Sequence, residues 1–142
     1  MEIKEYQDKY HGELSEIYLE SRKSTFTWLD TSAFSTSDFN KDTQGERILV
    51  AFSGGQMVGF ISIWEPENFI HHLYVSTDSH SQGIGSELLK SVKSTYEDLS
   101  LKCMVNNKAA IRFYESKGFA RESKERDSQG EYYLMKYRTK NG

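Results

Sequence analysis

The chain has one proline, Pro66, one cysteine, Cys103, and no long apolar run. Each scarcity excludes something. A lone cysteine cannot close an internal disulfide, and with no second cysteine or spaced histidine pair there is no zinc framework, so no metal is expected. The longest apolar stretch, Ile48 to Phe52, falls far short of the roughly 20 residues that a membrane helix needs. The opening MEIKEYQDKY also lacks an apolar signal region, which makes a cytoplasmic protein without a membrane partner the expectation. Basic residues are not in excess. With 18 Lys and Arg against 21 Asp and Glu, the net charge of −3 offers no positive field for nucleic acid. What remains is a sequence of 142 residues that is 37% hydrophobic and 27% charged with both signs interspersed, which fits one packed domain over residues 1–142.

Periodicity orders that domain. Ile3 to Tyr6 alternates as a strand, and Leu14, Ile17, Tyr18 and Arg22 then recur at helical spacing. From Trp28 to Phe39 the chain is rich in Ser, Thr and Asp with aromatics interleaved, which predicts irregular structure with at most a short helix. Its aromatics serve either as core anchors or as the wall of a substrate pocket, with Arg22, Phe26 and Trp28 as the pocket candidates. Arg47 to Phe52 and Met57 to Trp64 form a hairpin about Ser53-Gly54-Gly55-Gln56, and Pro66 separates it from a third strand, Phe69 to Val75. A helix to about Tyr96, a strand Leu99 to Val105, a helix Asn107 to Lys117 stopped by Gly118, and two closing strands about Asp127-Ser128-Gln129-Gly130 complete the order.

The stretch His80 to Leu89, HSQGIGSELL, joins the third strand to its helix. Glycines at 83 and 85 let the backbone approach a ligand, and the first turn of a helix carries amide donors without intrahelical partners. Together they predict an anion cradle suited to phosphate. A tight turn with no ligand accounts for the same residues.

Two motifs extend the reading. Gly83 and Gly85 stand at the glycine positions of the pattern (Q/R)-x-x-G-x-(G/A), with His80 in place of the Gln or Arg, and Thr77 stands where proline is frequent. Asn107, Ala110, Phe113, Tyr114, Gly118 and Phe119 match N-x-x-A-x-x-F-Y-x-x-x-G-F. Residues 107, 110 and 114 lie on one side of a helix, so an amide and a phenol can line one channel. On these motifs the chain resembles the GNAT superfamily of acyl-CoA-dependent N-acyltransferases over nearly its whole length. The resemblance implies an α+β, mixed α/β fold: a central, mostly antiparallel twisted sheet of six to seven strands, splayed at the acyl-CoA site, with about four helices on both faces.

It also implies a cosubstrate, acetyl-CoA, and a set of contacts. The pyrophosphate would rest on the backbone of Gln82, Gly83, Ile84, Gly85 and Ser86, the pantetheine arm on Asn107, and the thioester carbonyl against backbone N–H groups of Leu73 and Val75. Tyr114 is the implied neighbour of the sulfur and the candidate general acid. Read as residues alone, Asn107 is equally a helix N-cap and Tyr114 a core aromatic.

Amide formation also needs a neutral amine, and an alkyl ammonium titrates near 10, so a base, a water chain or desolvation must remove its proton. His71 or His72 is the candidate base. Neighbours on a strand face opposite ways, so one of them at most is expected to face a substrate, and strand histidines with structural partners are the plainer explanation of either. Glu65 and Glu67 are the alternatives. Cys103, inside an apolar strand pattern, is not a nucleophile. The expected activity is N-acetyl transfer to a primary amine of a small molecule through a tetrahedral intermediate, by a monomer or homodimer. Transfer to a protein or peptide amine, a non-catalytic acyl-CoA sensor, and a nucleotide-binding protein of another fold are the competing readings.

Overall fold

The computed structural model describes residues 1–77 and 83–138. His80 and Gln82 of the glycine loop lie outside the described residues. The elements run β1 (Glu2–Glu5), α1 (His11–Thr25), α2 (Asp38–Asp42), β2 (Arg47–Ser53), β3 (Gln56–Trp64), β4 (Phe69–Val75), α3 (Ile84–Lys93), β5 (Asp98–Met104), α4 (Lys108–Ser116), β6 (Ala120–Asp127) and β7 (Gly130–Arg138). The strands make one 7-stranded sheet in the order β1-β2-β3-β4-β5-β7-β6. Every neighbouring pair is antiparallel except β4 with β5. The mixed α/β architecture with a mostly antiparallel open sheet is therefore the one that the resemblance implies.

Alternation on the central strands builds a core on each face. On β2, Ile48 and Val50 join Tyr10, Leu14, Ile17, Tyr18 and Phe39 on the side of α1 and α2. Leu49 and Ala51 point the other way, into Ile84, Leu88, Leu89 and Val92 of α3 and Ile111 of α4. The helical spacing of those α3 residues is what gives it a single apolar face. No helix among the described residues is long and apolar enough to cross a membrane.

Two details of the sheet position the site. Gly59 on β3 faces a close approach of β4, where an added Cβ would meet the Tyr74 carbonyl oxygen at 2.7 Å and Val75 Cα at 3.2 Å. On the other edge of β4 the pairing with β5 is short: Phe69 faces Ser100 and Ile70 faces Leu101, and no further pair forms. From residue 71 onward β4 turns away, while β5 stays paired with β7 from Asp98 to Met104. The sheet opens at its centre.

The 28–39 segment is a series of turns, closed by the one short helix allowed for it. α3 ends at Lys93, earlier than the expected Tyr96: the Ser94 and Thr95 hydroxyls take the Ser91 carbonyl, and the Thr95 N–H bonds Val92 three residues back rather than Ser91 four back.

Candidate active site

The opening between β4 and β5 leads into a cavity of about 710 Å³. Leu73, Tyr74 and Val75 line one side, Lys102, Cys103 and Met104 the other, and Gly83 to Ser86 with Asn107, Phe113 and Tyr114 the far end. Strand geometry orients the backbone there. Ser76 donates its N–H to the Val58 carbonyl on β3 at 2.7 Å, so by alternation the N–H groups of Leu73 and Val75 point to the side of β4 from which β5 has departed. Ser21 of α1 donates its hydroxyl to the Val75 carbonyl at 3.2 Å.

Gly83 sits at the start of α3 with φ 75°, a left-handed conformation that a β-branched residue resists. Gly85 follows within the first turn, where an added Cβ would lie 3.5 Å from the Phe113 ring. The first-turn amides of α3 therefore face the cavity along a surface without side chains at 83 and 85. Asn107 caps α4, its Oδ1 accepting from the Ala110 N–H at 3.3 Å, and it also lines the cavity. The capping use of Oδ1 leaves the side-chain N–H₂ for a ligand.

Tyr114 packs edge-on against Phe113 and Phe119. Burial, with Cys103 and Tyr74 adding to it, holds its phenol well above the usual tyrosine range. It stays protonated at neutral pH. Burial likewise raises Tyr74, a second cavity phenol that the sequence reading did not single out, and pushes the Cys103 thiol up to about 11. A neutral thiol of that kind is a poor nucleophile.

Below Tyr74 the wall changes character. Both His71 and His72 line the cavity, with ring centroids 4.0 Å apart. The two rings thus share one side, where two-residue alternation would separate them. Ser62 pairs with His72 and Ile63 with Ile70, so His71 is the extra residue of a β-bulge, and a bulge breaks the two-residue alternation. His72 is buried, with Nδ1 2.9 Å from Ser62 Oγ and Nε2 3.2 Å from the Tyr18 hydroxyl, which itself donates to Asp42 at 2.7 Å. Burial lowers the pKa of His72 and keeps it neutral. His71 is exposed, and its Nδ1 is hydrogen-bonded to Glu46 Oε2.

Glu46, on the turn before β2, had no signal in the sequence; only the tertiary contact with β4 marks it. Its other oxygen, Oε1, is buried with no hydrogen-bond partner and stands 3.6 Å from His72 Nδ1. Burial acts to raise this carboxyl, but the hydrogen bond from His71, with His72 and Ser62 beside it, outweighs that and brings it to about 2. Ligand atoms of Glu46, His71 and His72 all lie within 4.8 Å of one another. A metal bound at about 2.0–2.2 Å needs its ligands further apart than a hydrogen bond, so an ion would have to break the Glu46 to His71 contact.

Of the pocket candidates, Phe26 lines the cavity and Arg22 and Trp28 do not. The Arg22 guanidinium lies between the rings of Tyr18 and Phe34 and bonds Asp38 at 3.1 Å. Trp28 packs edge-on against Phe26, and its indole N–H is buried without a partner. Glu65 accepts from the Tyr96 hydroxyl, and neither it nor Glu67 reaches the cavity.

Comparison with known proteins points the same way. Residues 17–138 match the family described as "Acetyltransferase (GNAT) domain". A comparison with curated protein sequences returns no match. Among solved structures, a GCN5-related N-acetyltransferase from Rhodopseudomonas palustris is 17% identical, with a TM-score of 0.81 over 97% of this chain and 95% of that one. The PaiA N-acetyltransferase of Thermoplasma acidophilum in complex with coenzyme A is 21% identical, with a TM-score of 0.78 over 97% and 98%. YncA, a putative acetyltransferase from Salmonella typhimurium with its cofactor acetyl-CoA, is 18% identical, with a TM-score of 0.73 over 96% and 92%. At these identities the likeness is one of fold.

Proposed function

The chain belongs to the GNAT acetyltransferase family, and from that membership we propose that it moves the acetyl group of acetyl-CoA to a primary amine of a small molecule by direct attack. The observation that carries this reading is the opening between β4 and β5. It brings the glycine turn of α3, the amide of Asn107 and the phenol of Tyr114 onto one cavity with the outward N–H groups of β4.

Each part has a task that its chemistry suits. The pyrophosphate rests on backbone amides at Gly83 to Ser86, with Gln82 before them, where the helix dipole favours negative charge. Asn107 holds the pantetheine arm. The N–H groups of Leu73 and Val75 face the carbonyl oxygen and stabilise the oxyanion of the tetrahedral intermediate. Tyr114, protonated and with no hydrogen-bond partner for its hydroxyl among the described residues, gives its proton to the departing thiolate. One of the histidines at the bulge takes the proton from the amine. Phe26 and Thr25 at the end of α1 bound the acceptor side of the cavity, which suits a small amine more than an extended peptide.

Two measurements test the proposal. A panel of amines with acetyl-CoA, read by release of free thiol, should give turnover with at least one small primary amine. CoA at a hundred times its dissociation constant should add about 2.7 kcal/mol of stability to the wild type, seen as a rise in melting temperature. Gly83→Val and Gly85→Val should lose that rise. An equal gain in both variants would place CoA elsewhere.

A further inference from the structure

The two histidines at the bulge are not equivalent, and their hydrogen bonds say which of them has a lone pair to offer. The Tyr18 hydroxyl donates to Asp42, so toward His72 it acts as an acceptor, and His72 Nε2 must carry the proton. His72 Nδ1 then has the lone pair, which the Ser62 hydroxyl occupies at 2.9 Å. His72 has nothing left for a substrate. In His71 the order is reversed. Nδ1–H donates to Glu46 Oε2, so the lone pair is on Nε2, which has no partner among the described residues and belongs to an exposed ring on the cavity wall.

We propose that His71 is the catalytic base and Glu46 its positioning residue, a carboxylate–imidazole pair that a β-bulge turns toward the acceptor amine. This deepens the acetyl-transfer reading and rests on it. Glu46 fixes the tautomer and the ring orientation, and it stabilises the imidazolium that forms when His71 is protonated. The titratable groups in contact with His71 are Glu46, from the turn before β2, and His72 on its own strand, whose ring centroid is 4.0 Å away; Lys102 of β5 lines the same cavity.

The proton and electron balance is complete. The incoming ammonium loses one proton to His71 Nε2, and the nitrogen lone pair then forms the C–N bond as the carbonyl π pair moves onto oxygen. Collapse of that oxyanion breaks the C–S bond, and the sulfur takes the Tyr114 proton. A second proton from the nitrogen restores Tyr114. One ammonium and one thioester thus give one amide, one thiol and one proton, and that proton leaves through the exposed His71 ring.

The test compares two amines of nearly the same size in wild type, His71→Gln and Glu46→Gln. Ethylamine is an ammonium at neutral pH, whereas 2,2,2-trifluoroethylamine, whose fluorines withdraw electron density from the nitrogen, is mostly neutral and needs no base to shed its first proton. His71→Gln should lower kcat/KM for ethylamine by about a hundredfold and for the fluorinated amine by a few-fold only; Glu46→Gln should follow the same pattern with about a tenfold loss. Equal losses with both amines would overturn the proposal, because a misfolded or merely crowded site does not distinguish them. The ¹⁵N shifts of the histidine rings in the wild type, with and without CoA, decide the point without turnover. They should show His71 protonated on Nδ1 and bare on Nε2, and His72 the reverse. A His71 carrying its proton on Nε2 refutes the pair even if the protein binds CoA and transfers acetyl; failure to bind CoA, with the tautomers as stated, would instead defeat the acetyl-transfer reading alone.

Discussion

The two walls of the cavity are built on opposite principles. On the β5 and α4 side, the side chains of Cys103 and Tyr114 stand among apolar neighbours, make no hydrogen bonds among the described residues, and have their ionisation suppressed by burial. On the opposite side, His71 and His72 of β4 line the cavity, and behind them Asp42 of α2, Tyr18 of α1, His72 and Ser62 of β3 form one connected hydrogen-bonded row, with Glu46 bonded to His71. Low polarity keeps a proton on the phenol. Hydrogen bonds instead fix the groups of the other wall. The difference teaches that a single fold can hold polar groups at one cavity in two ways, by desolvation on one wall and by hydrogen-bonded pairing on the other.

The comparison breaks first at Tyr114. Tyr114→Phe keeps the ring and its packing and removes only the proton, so turnover should fall by about a hundredfold or more with CoA affinity little changed. Steady-state rates together with a CoA titration check this. Near-normal turnover while chemistry limits the rate would leave Tyr114 as a core aromatic and move the donor to Tyr74 or water.

The opposite wall should break in stability. Tyr18→Phe leaves Asp42 and the Nε2–H of His72 without their shared partner, and an unpaired buried polar group costs about 1–3 kcal/mol. Urea unfolding should show this destabilisation with an unchanged slope. A neutral result would mean that the row contributes little to holding the wall.

The smallest effect sharpens the contrast through pH. The Glu46 carboxyl lies at about 2 in the folded protein against an ordinary 4.5, a depressed value, so its contribution to stability is present above about pH 4.5 and is lost as pH falls toward 2. Glu46→Gln should flatten the acid limb of the stability curve in that window and leave it unchanged near neutrality apart from a constant offset. An acid limb identical to wild type would show that the carboxyl is not held by His71.

One wall of the site was legible in the sequence and the other largely was not. Asn107, Ala110, Phe113 and Tyr114 lie within two turns of one helix, and Gly83 and Gly85 within one, so their spacing alone puts each group on a common surface. Glu46 and His71 are 25 residues apart, and Tyr18 and His72 are 54 apart. No periodicity relates such positions. Arg22 reads in the sequence as a pocket cation at the end of an amphipathic helix, yet the turns that follow α1 bring Asp38 and Phe34 onto it and bind it into the core.

The sequence by itself determined what local rules can reach: which segments are strands and helices, which faces are apolar, and where a glycine turn and a capped helix stand beside each other. Only the tertiary structure decided the pair of histidines. Their side depends on a register shift between β3 and β4, and register is set by how a partner strand packs and pairs, so one inserted residue breaks the alternation that local sequence implies.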